Sequence, residues 1–163
     1  MAMNLEFKKI NLARDYDFCV AARRDAYVCS FHRDDGFDAF LAGYRERMTT
    51  RLTSREWHYL HVWRGGEIVG QLEFRTSSSE PDSGYVHLIY LTPQARGQGL
   101  VALLLQHVAH TMQQAGCRRA VLSVSRLNLR ALRFYRRCGW RYLGPNPKHA
   151  ETDFYEYRLP DPA

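Results

Sequence analysis

A mixed α/β fold in one domain is predicted by three features of the 163-residue sequence. Segments of strand and helix periodicity alternate in the order β-α-α-β-β-β-α-β-α-β-β, seven strands and four helices in one layered unit over residues 1–163. Hydrophobic residues at 45% and charged residues at 25% are ordinary globular usage, which excludes a disordered or collagen-like chain. The length lies within the roughly 100–200 residues that one core supports. The longest apolar run, Leu100–Leu105, is far short of the roughly 18–20 residues of a membrane span. The opening MAMNLEFKKI has no apolar h-region, so the expected location is cytoplasmic. Cys19, Cys29, Cys117 and Cys138 form no C-x-x-C pair, so free thiols and no metal site are expected.

The elements follow in order. Leu5–Ile10 reads as a first strand. Asp15–Val28 and Asp38–Leu52 carry apolar residues at helical spacing (Phe18, Ala22, Tyr27; Phe40, Leu41, Tyr44, Met48), and the link FHRDDGF offers Asp35 or Asp38 as a helix N-cap. His58–Trp63 and Ile68–Arg75, joined at Gly65-Gly66, make a hairpin. The most loop-like stretch is Thr76–Gly84. Tyr85–Leu91 is an apolar strand, covered on both faces. A helix from Gly99 to Ala115 is closed by Gly116. RRAVLSVS gives a strand, Leu127–Cys138 a helix capped by Gly139, and WRYLG and Phe154–Leu159 the last two strands.

Chemistry points to IYLTPQARGQGLVALLL. A strand halts at Pro93, and two glycines one residue apart open a helix. Glycine lets the backbone turn tightly and approach a ligand closely. The first unpaired N–H groups of the helix, at the positive end of its dipole, then form a phosphate site. No Lys-Ser/Thr follows the last glycine, so this is not a P-loop, and the spacing is not the G-x-G-x-x-G of a dinucleotide fold. Downstream lies NLRALRFYRRCGW, Asn128–Trp140, in which helical spacing turns Asn128 and Tyr135 inward together.

Together the two stretches resemble the GNAT superfamily of acyl-CoA-dependent N-acetyltransferases. QARGQG (Gln94–Gly99) is similar to that family's Q/R-x-x-G-x-G/A pyrophosphate loop, and N-x-x-A-x-x-F-Y-x-x-x-G-W to its second cofactor motif. Element order agrees from Leu5 to Leu159; Val101 stands where members often carry Gly or Ala, a common variation. The resemblance implies a mostly antiparallel sheet of about seven strands flanked by about four helices, acetyl-CoA as co-substrate, no metal, and direct transfer to an amine without an acyl-enzyme. It implies that Gln94, Ala95, Arg96, Gly97, Gln98, Gly99, Leu100 and Val101 surround the pyrophosphate. Ile89, Tyr90 and Leu91 would flank the pantetheine, with the Leu91 N–H on the thioester carbonyl. Asn128 would bond the pantetheine or fix the local backbone, with Ala131 beside the cofactor. Tyr135 would sit at the sulfur and protonate the departing thiolate, since a phenol of pKa about 10 keeps its proton at neutral pH. Cys138 is read as packing at a helix end rather than as a nucleophile.

Related enzymes often take the amine's proton with a Glu on the fourth strand, where this chain has Tyr85. Strict alternation puts Tyr85, His87 and Ile89 on one face, making His87 one candidate base and Glu73, on the neighbouring strand, another. The plainer readings are a core histidine for His87 and a solvated strand residue or ion pair for Glu73. The acceptor site is expected from the first two helices, their link and the loop after the sixth strand: His32, Asp34, Asp35, Tyr44 and Tyr85, then Lys148, His149, Glu151 and Asp153. A small-molecule primary amine is the expected acceptor, with a protein N-terminus or lysine as the alternative; a homodimer is left open. The charge poses a rival class. Twenty Arg against three Lys, and +6 net, call for an anionic partner. Arg126, Arg130, Arg133 and Arg137 form one helix stripe that could track nucleic-acid phosphates in a non-catalytic binding module. No helix-turn-helix, zinc finger or RNP pattern accompanies it, which favours a solvated helix face, and next a contact to the cofactor's phosphates, over nucleic acid.

Overall fold

The computed structural model describes residues 4–161. Its elements are β1 (Glu6–Lys9), α1 (Leu12–Phe31), α2 (Phe37–Leu41), α3 (Tyr44–Arg51), β2 (Trp57–Arg64), β3 (Glu67–Arg75), β4 (Ser83–Leu91), a 3₁₀ turn (Pro93–Ala95), α4 (Leu100–Gln114), β5 (Arg119–Ser125), α5 (Leu129–Arg137), β6 (Arg141–Pro145) and β7 (Thr152–Arg158). The strands lie side by side as β1-β2-β3-β4-β5-β7-β6. Every neighbouring pair is antiparallel except β4–β5, giving the mixed, mostly antiparallel sheet expected. That parallel ladder is short: Ser83–Val86 pairs with Arg119–Leu122, and beyond Val86 the two strands part.

Local chemistry explains most elements. Asn11 caps α1 by accepting the Arg14 N–H at 3.1 Å, so the helix starts earlier than the expected Asp15. It runs on to Phe31 and stops where His32 turns left-handed. In α4, Leu100, Leu104, Val108 and Met112 recur every fourth residue and are all buried. Gly116 and Gly139 follow α4 and α5 with φ of +90° and +94°, the left-handed stops their sequence positions suggest. Gly65 and Gly66, with φ of +57° and +85°, supply the β2–β3 hairpin turn.

Three expectations need correction. The helix expected over Asp38–Leu52 is two helices, because Gly43 adopts φ +76° and restarts the chain as the N-cap of α3. Neither Asp35 nor Asp38 caps α2; Gly36, at φ +99°, occupies that position, and the Asp35 carbonyl takes the Tyr27 hydroxyl instead. The third concerns β4. Leu88 pairs with Glu73 and Val86 with Phe74, so His87 is an extra residue in a β-bulge. The bulge resets the alternation: Ile89 packs with Val86 and Leu91 in the core under α4, whereas His87 lies against Trp57 and Leu88 against α1. Tyr85, His87 and Ile89 therefore do not share a face. β4 is covered on both sides, as its composition suggests, with Leu88 and Tyr90 beneath Ala22 of α1 and Val86 and Leu91 in the α4 core.

Candidate active site

The parting of β4 from β5 opens a cleft of about 470 Å³. One wall is β4 from Val86 to Leu91, the other is β5 at Leu122–Val124 and the inner face of α5; the glycine loop and the start of α4 form one end. The backbone is aimed to use this gap. Thr92 donates its N–H to Val69 at 2.9 Å, so Thr92 faces β3. Alternation then turns the N–H and C=O groups of Leu91 and Ile89 away from β3, towards the missing β5 partner.

At the loop, Gly97 and Gly99 hold φ of +76° and +78°, and a Cβ built on either meets nothing within 4 Å. Conformation rather than crowding demands glycine here, and the space beside them is open. The N–H groups of Gly97, Gln98 and Gly99 take no hydrogen bond among the described residues, and the first N–H groups of α4 add to that set. This donor array fits a diphosphate. The loop is braced from three sides. Gln98 bonds the Gln94 carbonyl at 2.9 Å and accepts from Arg64 of β2 at 2.9 Å, and Ala95 is buried in the core. Arg96 does not point at the cleft mouth alone: its Nε donates to the Leu91 carbonyl at 3.1 Å and its Nη2 to Asp25 of α1 at 2.7 Å. Asp25 also accepts the Tyr90 hydroxyl at 2.7 Å.

Across the cleft, Tyr135 and Ala131 line the wall from α5. The Tyr135 ring lies 5.5 Å from Trp140. Burial, with the Cys138 thiol nearby, pushes its phenol above the usual tyrosine range, so it keeps its proton throughout the physiological range. Asn128 is not on the helix face but is its N-cap: Oδ1 accepts the Ala131 N–H at 3.3 Å. Of its two expected roles, fixing the local backbone is the one its side chain performs here, at the cleft edge.

His87 also lines the cleft, and its Nε2 is buried with no hydrogen-bond partner among the described residues. Burial, then the charges of Arg75, Arg23 and Arg51, pushes His87 down to about 3, so it is neutral. Glu73 lies outside the cleft lining and is 0% exposed. One oxygen takes Arg23; the other takes the Tyr44 hydroxyl at 2.6 Å and Gln71 at 2.7 Å. Burial alone would raise its pKa, but the Arg23 charge and these hydrogen bonds hold it below the usual carboxylate range. Tyr44 is buried on the same carboxylate, and burial beside it pushes its phenol up.

None of the other expected acceptor residues is among those that line the cleft. His32 and Asp34 are exposed, Asp34 within 3.5 Å of Arg24. Arg33 grips Glu151 at 2.6 and 3.2 Å, tying the end of α1 to the β6–β7 turn, and also reaches Asp35 at 3.2 Å. Asp153 takes Arg126 at 2.6 Å. The Lys148 and His149 N–H groups are spent on Asn146. Tyr85 packs its ring 4.7 Å from His87 and 6.4 Å from Phe154. Sequence reasoning missed Ala26, Cys29 and Ser30 of α1, which line the cleft beside Tyr90. Their signal was the small residues Ala22, Ala26 and Ser30 at every fourth position, which let α1 approach β4 closely.

Known proteins share this fold. The acetyltransferase (GNAT) family model matches residues 16–140. Among solved structures, a PaiA N-acetyltransferase from Thermoplasma acidophilum in complex with coenzyme A superposes with a TM-score of 0.80 at 14% identity, over 96% of this chain and 99% of that one. A spermidine N-acetyltransferase from Vibrio cholerae in complex with CoA and spermine gives 0.73 at 14% identity, over 95% of each chain. The ribosomal-protein-S18-alanine N-acetyltransferase from Escherichia coli gives 0.64 at 14% identity, over 98% of this chain and 96% of that one. At such identities the likeness is one of fold. No curated protein matches in sequence.

Proposed function

The chain belongs to the GNAT family of acetyltransferases and is an acetyl-CoA-dependent enzyme; from that premise we propose that it acetylates the primary amine of a small molecule. The observation that carries the reading is the pairing of the loop's free N–H groups with Tyr135 on the opposite wall of one cleft. The thioester is the acetyl donor. The N–H groups of the loop and the first turn of α4 hold the diphosphate, and the cleft-facing backbone of Ile89 and Leu91 aligns the arm. The Leu91 N–H stabilises charge that develops on the thioester carbonyl oxygen. As the amine nitrogen bonds the acetyl carbon, the C–S bond breaks and Tyr135 gives its proton to the leaving sulfur. The amine's own proton leaves to water along the cleft past His87, whose ring, held down to about 3, stays neutral. Glu73, with both oxygens engaged, acts at one remove by fixing Arg23 and Tyr44. The Arg33–Glu151 pair bridges the end of α1 and the β6–β7 turn, the side assigned to the acceptor, and a bridge there favours a small amine over a polypeptide.

The test is a thiol-release screen with acetyl-CoA against polyamines, amino acids, aminoglycosides and peptides. Turnover is expected with a small amine. Tyr135→Phe should lose about 10²-fold in kcat while still binding CoA. Full activity in that variant would remove the general-acid role, and turnover of peptides alone would move the acceptor to protein.

A further inference from the structure

In front of the β4 bulge, the sheet carries more positive charge than its neighbours neutralise. Trp57, Arg75, Tyr85 and His87, from three adjacent strands, form one cluster. The Trp57 and Tyr85 rings lie 5.0 and 4.7 Å from His87, and the Arg75 guanidinium 5.3 Å from Trp57 and 5.7 Å from Tyr85. Arg51 stacks on Trp57 at 3.8 Å and donates to the Tyr59 hydroxyl at 2.9 Å. Of the carboxylates on these strands and their ends, Glu73 is neutralised by Arg23, and Glu56, beside Trp57, bonds the neutral Ser77 hydroxyl and offsets one charge of the two arginines at most. Neither Arg51 nor Arg75 has an ion-pair partner among the described residues. Two polar atoms of the cluster, Arg75 Nε and His87 Nε2, are buried without a hydrogen bond among the described residues.

A buried N–H left unmatched is costly, and proteins keep such groups where a ligand completes them. The fork of a guanidinium between aromatic walls suits a carboxylate, which it can take through two parallel bonds. A polycation brought here would meet Arg51 and Arg75 as like charge. His87 belongs both to this cluster and to the cleft lining, so a molecule anchored at Arg75 can present its amine at the cleft. We propose that Arg75 anchors a carboxylate on the acceptor, so that the substrate class is an amine that also bears a carboxylate, such as an amino acid. This rests on the acetyl-transfer reading above and names the acceptor that reading leaves open.

The test measures thiol release from acetyl-CoA by the full chain with each protein amino acid, its methyl ester, and spermidine, alongside CoA binding by calorimetry. At least one free amino acid should exceed its ester by about 10- to 100-fold in kcat/KM. Arg75→Met should bring that ratio to within about threefold while CoA affinity is kept. Arg75→Lys, which keeps the charge on a similar stem, should fall between and guards against a folding defect in the first variant. The proposal is overturned if esters or spermidine react as well as free amino acids, or if no amino acid reacts although CoA binds. Absence of CoA binding would instead refute the acetyl-transfer reading itself.

Discussion

Asp25 illustrates how one side chain outside both motifs can govern the candidate site. A single carboxylate oxygen accepts Tyr90 from β4 and Arg96 from the glycine loop, and Arg96 in turn holds the Leu91 carbonyl. Asp25→Asn keeps the shape but removes the charge that fixes the turn. Because the pair is partly exposed, the expected loss is about three- to tenfold in CoA affinity, with kcat changed less than about twofold. Calorimetry and a KM-against-kcat comparison check it, and unchanged affinity would remove the positioning role. His87 makes a second prediction at this scale. Its folded-state pKa of about 3 lies below the ordinary 6.5, so below pH 6.5 the unfolded chain takes a proton that the folded chain refuses. Stability from this group is complete above pH 6.5 and is lost as pH falls towards 3, by up to about 1.4 kcal/mol per pH unit. Burial lowers His58, His61 and His107 too, which adds to the same slope. Glu73, held low, contributes stability that is lost further down as its carboxylate is protonated. His87→Gln should therefore flatten the dependence of urea-unfolding free energy on pH between 6.5 and 4.5; an unaltered slope would show that the histidine titrates normally.

The glycine loop tests the elements. Gly99→Ala forces an L side chain into φ +78°, where space is free but the backbone is strained. The cost is ~1–2 kcal/mol, or roughly 2–8 °C in Tm, and the re-aimed N–H groups should also weaken CoA binding. Gly116→Ala at φ +90°, past the far end of the 15-residue α4, carries a similar strain away from the loop and should lower Tm without touching CoA affinity. Equal effects on CoA from both variants would mean the loop's geometry is not what binds. The two positions also mark what could be read in advance. Turn glycines, the four-residue repeat of α4 and the strand-loop-helix around Gly97 and Gly99 are local patterns, and the elements they announce are present. The bulge at His87 is not local. It depends on how β3 registers against β4, and one extra residue moved Ile89 to the opposite face from His87. The division at Gly43 was hidden because Phe40, Tyr44 and Met48 keep helical spacing across it. The burial of Glu73 and Tyr44 on each other needed the contact of α1 and α3 with β3, for which no single stretch of sequence holds a signal.

For the whole molecule, the open question in the composition is where twenty arginines are satisfied. Several are consumed internally: Arg23 by Glu73, Arg33 by Glu151, Arg119 by Glu156 and Ser83, and Arg126 by Asp153. The helix stripe is divided as well, with Arg130 and Arg137 lining the cleft and Arg133 exposed. A basic surface that tracked nucleic acid would need those charges free and aligned, whereas here two of them border a cleft that also holds the loop donors. The cleft is made of segments distant in sequence: α1, β4, the loop, β5 and α5. A ligand spanning all five couples their unfolding, so its binding energy appears as stability of the entire fold. At a concentration 100 times its Kd, CoA should stabilise the folded chain by about 2.7 kcal/mol. For a domain of this size that corresponds to a rise of roughly 5–11 °C in Tm. Duplex DNA at physiological ionic strength should give no comparable rise, because it cannot enter the cleft. A thermal scan with each ligand separates the two accounts. Stabilisation by DNA and none by CoA would make the arginine stripe, rather than the glycine loop, the functional surface.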